Sequence, residues 1–161
     1  MNMSTKMRRI LGVVFVLYLA ALVYVLLFSP YFGRTQETPH GVNLAPLTEI
    51  RRFWKGPESL GSSQFWINVV GNVLAFLPLG LLTALLLRRR YYGAFALAVT
   101  YLASLGAELL QYCLRVGSFD IDDVILNTLG GFIGILVSIP VRRLLVNQNG
   151  GKKKQSHKKK R

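Results

Sequence analysis

Four long apolar runs divide this chain, and its charges are sorted between their two sets of ends. All seven acidic residues, Glu37, Glu49, Glu58, Glu108, Asp120, Asp122 and Asp123, follow the first run or lie in and after the third. Three quarters of the twenty Lys and Arg residues flank the opposite ends: Lys6, Arg8, Arg9, Arg88, Arg89, Arg90, Arg142, Arg143 and the tail from Lys152 to Arg161. Short positive loops stay in the cytoplasm, and this bias fixes how a helical bundle threads its membrane. The pattern predicts an all-α membrane protein, a bundle of four transmembrane helices with both the N and the C terminus cytoplasmic.

The runs themselves agree. Ile10 to Phe28 carries no charge and is long enough to cross a hydrocarbon core of about 30 Å at ~1.5 Å per residue. No small-x-small site follows Phe28, so the run reads as a span and not as a cleaved leader. The second run, about Phe65 to Leu87, returns inward to Arg88–Arg90, with Pro78 expected to bend it because proline removes a helix hydrogen bond. The third, about Gly93 to Leu114, goes outward; the fourth, about Val124 to Val141, comes back to Arg142 and Arg143. At 52% hydrophobic residues and a mean hydropathy of +0.37, a chain of 161 residues is too apolar for an ordinary soluble domain. We expect one four-helix domain over residues 1–146 and a disordered basic cytoplasmic tail over 147–161, rich in Gly, Asn and Lys.

A net charge of +13 is compatible with nucleic acid in principle, but the basic residues collect at helix ends and in the tail instead of forming a stripe. They read as topology signals and contacts to membrane lipid headgroups, with no nucleic-acid partner. Cys113 is the single cysteine, which excludes an intrachain disulfide. Between the first two runs, Leu47, Ile50, Phe53 and Trp54 recur at helical spacing between Pro46 and Gly56-Pro57. This predicts a short interfacial helix in the first outer loop, with Trp54 and Trp66 at headgroup depth.

Polar residues inside the spans come next, since lipid cannot hydrogen-bond them and each must find a partner. Ser104, Glu108, Gln111 and Arg115 form one stripe along the third helix. Asn68 and Asn72 pair at i, i+4 near the outer end of the second, as do Asp123 and Asn127 at the start of the fourth. Helix direction brings all of these to one depth, with Glu108 about 10 Å below Arg115. The expected cluster has Asn68, Asn72 or Asn127 bonding the Glu108 carboxyl and Gln111 relaying toward Arg115. Gly130, Gly134 and Ser138 continue the fourth helix's inner face and let neighbouring backbones approach. Asp120, Asp122 and Asp123 crowd three carboxyls into four residues; Asp122 or Asp123 could cap the helix, and a cation could relieve their repulsion. The same residues could also serve only to hold helices together.

Three strings in this order, Asn68-Val-Val-Gly-Asn72-Val-Leu-Ala-Phe-Leu-Pro78-Leu-Gly80, Ser104-Leu-Gly-Ala-Glu108-Leu-Leu-Gln111-Tyr and Arg115-Val-Gly-Ser-Phe-Asp120-Ile-Asp122-Asp123-Val-Ile-Leu-Asn127-Thr-Leu-Gly130, resemble those of the VanZ-like membrane proteins, and Asn43-Leu-Ala-Pro46-Leu fits the same pattern. The resemblance runs from about Asn43 to Gly134. It implies a multi-pass protein of the bacterial plasma membrane, and the family's namesake is associated with resistance to teicoplanin, a glycopeptide carrying a lipid chain. The positions it marks are Asn43, Asn68, Asn72, Pro78, Glu108, Gln111, Arg115, Asp120, Asp122, Asp123 and Asn127.

Three function classes follow. In the first, no catalysis occurs and no cofactor is used: an outward-facing acidic cleft at the outer leaflet, built from Glu108, Gln111, Arg115, Asp120, Asp122, Asp123, Asn68, Asn72 and Asn127, binds the amine of a lipoglycopeptide antibiotic or of a lipid-linked cell-wall precursor. In the second, the chain is a membrane enzyme modifying such a precursor, with Glu108 as general acid or base and the Asp120–Asp123 loop holding a divalent cation; no nucleophile and base are visibly paired for it. In the third, it is a structural or partner-binding subunit. Transport is a weaker option, since four helices without an internal repeat offer little scaffold for alternating access.

Overall fold

The computed structural model describes residues 3–28, 41–48, 51, 63–87 and 90–158, with side chains except at 63–67 and 146–158. Its elements are α1 (Thr5–Phe28), β1 (Val42–Asn43), α2 (Ser63–Leu86), α3 (Tyr92–Cys113), β2 (Phe119–Asp120) and α4 (Ile121–Lys158). Thr5–Phe28, Asn68–Leu86, Tyr92–Cys113 and Ile121–Leu145 are each long and apolar enough to cross a membrane. The four expected spans are therefore present as helices, and each begins somewhat before the apolar run that announced it. At the first, Ser4 Oγ accepts the Met7 N–H at 3.2 Å, a helix cap that draws Lys6, Arg8 and Arg9 into the helix itself. The interfacial helix expected around Leu47 to Trp54, and the headgroup position of Trp66, lie largely outside the described residues.

One difference concerns a helix end. The α4 backbone stays helical to Lys158, where composition argued against regular structure from residue 147. Extending an existing helix adds one hydrogen bond per residue fixed, and Lys and Gln are good helix formers, so a helix already nucleated in the membrane can run on through such a segment. Pro78 and Pro140 both lie inside helices, where neither has an N–H to give to the carbonyl four residues back. Near the first, the Tyr18 hydroxyl of α1 donates to the Ala75 carbonyl at 2.5 Å, pinning α1 to α2.

Burial is inverted relative to a soluble bundle. Thr83, Thr100, Ser104, Glu108, Gln111, Asn127 and Ser138 are buried, while Val16, Leu17, Leu102 and Leu144 are exposed on the surface that lipid would cover. Buried apolar residues form two clusters among the described residues. Leu22, Leu26, Phe76, Leu79 and Ala107 join α1, α2 and α3 at one, and Ala84, Ala96 and Ile135 join α2, α3 and α4 at the other.

The tightest association is α2 with α4. A Cβ added to Gly130 would land on the Val73 carbonyl, one on Gly134 on the Leu77 carbonyl, and one on Gly80 on the Gly131 backbone. These backbones touch, and only glycine fits between them. Gly131 gives the same room to the Thr100 side chain of α3. The successive contacts of Val73 with Gly130 and Leu77 with Gly134 make α2 and α4 run parallel, so their N-terminal ends share one end of the bundle.

At the other end, the Arg8 guanidinium donates to the Leu86 carbonyl at 3.1 Å and that of Arg142 to the Leu87 carbonyl, while Arg142 lies 4.3 Å over the Tyr92 ring. Arginines from α1 and α4 thus meet the carbonyls that close α2.

Replacing Gly134 by Val should cost about 3 kcal/mol or prevent assembly, because a backbone cannot yield to the added atoms. The same change at Gly12, which has open space around it, should stay within about 0.5 kcal/mol. Unfolding midpoints of the two variants in one detergent compare them directly.

Candidate functional site

The acidic end of the bundle is assembled around Asp120. Its N–H donates to Glu108 Oε2 at 3.0 Å, its Oδ1 accepts the Asp122 N–H at 2.9 Å, and its Oδ2 accepts Asn43 Nδ2 at 3.1 Å. One residue therefore links the buried carboxyl of α3, the start of α4 and the segment before α2.

Local sequence explains each link. α3 ends in a Schellman turn: the Val116 N–H reaches the Gln111 carbonyl at 3.0 Å and the Arg115 N–H reaches that of Tyr112 at 3.2 Å. Arg115 takes the left-handed position with φ 58, which glycine usually fills. After this turn, Phe119–Asp120 pairs in parallel with Val42–Asn43, and the Phe119 N–H donates to the Gly41 carbonyl at 3.0 Å. The Asn43 Oδ1 accepts the Ala45 N–H at 3.2 Å, an Asx turn that leads into Pro46. Leu47 then sits at φ 64, and its N–H donates to Asp122 Oδ1 at 2.5 Å. The charge-assisted bond to a buried carboxyl offsets the strain of a bulky residue in that conformation.

The remaining bonds spread along the helices. Asn72 Nδ2 donates to Asp123 Oδ1 at 2.6 Å, joining α2 to α4. Asn127 Nδ2 donates to Ser104 Oγ at 2.9 Å, joining α4 to α3, and Gln111 Nε2 donates to the Leu26 carbonyl at 3.0 Å, joining α3 to α1. Gln111 Oε1 and Asn127 Oδ1 are buried and have no hydrogen-bond partner among the described residues. Two acceptors thus remain available on either side of Glu108 along α3 and α4.

Of the residues expected here, Glu108, Gln111, Asp120, Asp122, Asp123, Asn72 and Asn127 come together at this end. Asn68 is half-buried one turn further out on α2. Arg115 does not join them: it is exposed beyond the end of α3, and Gln111 turns its amide to Leu26 instead of relaying toward it. The reason is geometric, since the stripe ends where the helix does and the Schellman turn swings residue 115 out. Nor is the cap at Asp122 or Asp123. Asp120 takes the cap position, with the other two in the first turn, where the macrodipole favours acids.

Each carboxyl also has its own donor: Asp120 N–H for Glu108, Asn43 for Asp120, Leu47 N–H for Asp122 and Asn72 for Asp123. Among the described residues, no group of three or more His, Cys, Asp or Glu is placed to hold a metal ion. Asn43 and the Leu47 amide were not among the site residues read from sequence. Asn43 was marked by the family resemblance alone, which does not say what it touches, and no signal marked the Leu47 amide.

Asp120→Ala should cost about 2 kcal/mol by removing a helix cap and the Asn43 bond together, and Asn43→Ala should add little once Asp120 is gone. A double-mutant cycle on unfolding midpoints reads this coupling. Arg115→Gly should instead stabilise the fold by about 1 kcal/mol through relief of the left-handed strain. A loss of stability there would mean that the side chain makes a contact worth more than the strain.

A family model described as VanZ/LLP1 matches residues 15–144. The chain is 29% identical over 123 residues to Protein VanZ of Enterococcus faecium, covering 74% of this chain and 67% of that protein. No solved structure matches. The matched region holds all four candidate spans in whole or large part and every residue of the acidic end, and this chain belongs to the VanZ/LLP1 family.

Proposed function

We propose that this protein is a multi-pass component of the bacterial plasma membrane whose acidic end faces outward. There it lowers susceptibility to lipoglycopeptide antibiotics of the teicoplanin kind by binding a cationic, lipid-bearing molecule. The observation that carries the reading is the convergence of four carboxyl groups, Glu108, Asp120, Asp122 and Asp123, from two helix ends and one short strand. Hydrogen bonds from backbone and side-chain amides orient these groups. An ammonium group offers positive charge and several N–H donors, for which Gln111 Oε1 and Asn127 Oδ1 are additional acceptors. The apolar faces of the surrounding helices are compatible with an acyl chain lying alongside.

Orientation follows the charge pattern, with Lys6, Arg8, Arg9, Arg142 and Arg143 cytoplasmic and the carboxyl cluster outside. Family membership supports the cell-envelope setting, and the segregated charge supports the side.

The test uses a susceptible host expressing the wild type, Glu108→Gln or Asp122→Asn. Both changes keep an oxygen acceptor for the amide that each carboxyl binds, so the fold should persist at wild-type abundance. Removing one charge-assisted contact should cost on the order of 2 kcal/mol of binding, so resistance to teicoplanin should fall by tenfold or more in each variant. Full resistance in both variants at equal abundance would end the proposal.

A further inference from the structure

The most concentrated positive charge lies at the opposite end of the molecule, and the acidic site makes no use of it. Arg8 of α1 and Arg142 of α4, both half-buried, donate to Leu86 and Leu87, consecutive carbonyls at the end of α2. A helix C-terminus offers roughly −0.5 of a charge, which compensates half of one guanidinium and leaves the second unmatched. Arg8 carries a further burden, since it lies near the N-terminus of α1, where the helix field is itself positive. The carboxyls of the described residues sit at the other end, and the sequence sets none of its seven acids beside Lys6, Arg8, Arg9, Arg142 or Arg143. Among the described residues no carboxyl supplies the countercharge.

We propose that Arg8 and Arg142 together grip the phosphate of an anionic phospholipid in the adjoining leaflet. The guanidiniums belong to the ends of Thr5–Phe28 and Ile121–Leu145, beside the end of Asn68–Leu86, which puts them at headgroup depth. Each has five N–H donors, and the described carbonyl bond takes up part of one fork, leaving donors for phosphate oxygens. Arg142 also lies 4.3 Å over the Tyr92 ring, a contact that restrains its fork before a lipid arrives. Exposed Ile10 and Leu144, at the same depth as these arginines, belong to the apolar surface that acyl chains would cover. A zwitterionic headgroup carries its own cation and leaves the excess charge uncorrected, so the site selects lipids with net negative charge. The bound lipid joins α1 to α4 across the end of α2, adding a tie to a helix whose described polar bonds are few.

The test compares the full chain in nanodiscs of phosphatidylcholine alone and of phosphatidylcholine with phosphatidylglycerol. Thermal unfolding and native mass spectrometry of retained lipid are the readouts. The wild type should retain phosphatidylglycerol and unfold at a higher temperature in its presence. Arg8→Gln and Arg142→Gln should each reduce retention about tenfold, the loss of one charged hydrogen bond. Arg143→Gln, at an exposed position with no described hydrogen bond, should change it less than about twofold. Equal loss in Arg143→Gln, equal retention of phosphatidylcholine, or equal stabilisation of the phosphatidylcholine sample by inorganic phosphate would each overturn the proposal. Should the glutamine variants fail to fold in phosphatidylcholine, Arg8→Lys and Arg142→Lys keep the charge but lose the planar fork. Partial loss of retained phosphatidylglycerol supports the site, and undiminished retention overturns it.

Discussion

The contact on which the rest of the molecule depends is the backbone-to-backbone approach of α2 and α4. Without side chains at Gly80, Gly130 and Gly134, the two helices close until carbonyl oxygens meet Cα atoms, and the register of one against the other has almost no freedom. That register is what brings Asn72 level with Asp123 and the start of α4 level with the end of α3. In lipid there is no hydrophobic drive between helices, so dispersion across such a dry seam and the few polar bonds beside it must do the joining. A side chain added at Gly80, Gly130 or Gly134 would force these backbones apart.

Given that register, the acidic end solves a problem of crowding. Four carboxyl groups close together repel one another, and the fold answers by giving each a separate donor from a different element. The two-residue parallel pairing of Val42–Asn43 with Phe119–Asp120 makes this possible, because it carries the Asn43 amide and the Leu47 N–H across to the helix ends. Two non-glycine residues, Leu47 and Arg115, accept left-handed backbone to do it. Strain of this kind, on the order of 1 kcal/mol per residue, persists only where surrounding bonds determine the geometry. At Leu47 that bond is visible. At Arg115 the side chain is exposed and gives the fold no described return.

How far the sequence could be read depended on the kind of order involved. The four spans were legible because lipid imposes a length and a composition that no other environment demands. The buried positions of Glu108, Gln111, Asn72 and Asn127 were legible because a polar residue in a span must turn inward, but their partners were not: Asn72 bonds Asp123 and Asn127 bonds Ser104, where an asparagine was expected on the Glu108 carboxyl. What escaped was everything decided by chain reversal. The route from Cys113 to Ile121 fixes which aspartate caps α4, and nothing in Gly117 to Asp123 distinguishes Asp120 from Asp122 until the strand pairing is known. Periodicity likewise carried the α3 stripe one step too far, to Arg115, because a repeat pattern does not announce where a helix will turn back. The contact of Asn43 escaped as well, since Asn43 and Asp120 are 77 positions apart.

The sorting of charge that sets orientation also serves the helix termini. The first amides and last carbonyls of a helix lack partners within it, and at a membrane boundary water is only partly available to them. At one end the N-terminus of α4 meets carboxyls, with Asp120 as cap and Asp122 and Asp123 in the first turn. At the other, the C-terminus of α2 meets guanidiniums from Arg8 and Arg142. Each end therefore receives the sign that its dipole favours. Because α2 and α4 run parallel, the start of α4 lies at the acidic end of the bundle and the finish of α2 at the basic end, so one separation of charge serves both of these termini. An antiparallel arrangement of this central pair would require both signs at both ends, and the charge bias that selects a single orientation would be lost. Helix polarity, terminal capping and insertion direction are thus three consequences of packing two glycine-lined helices side by side in the same sense.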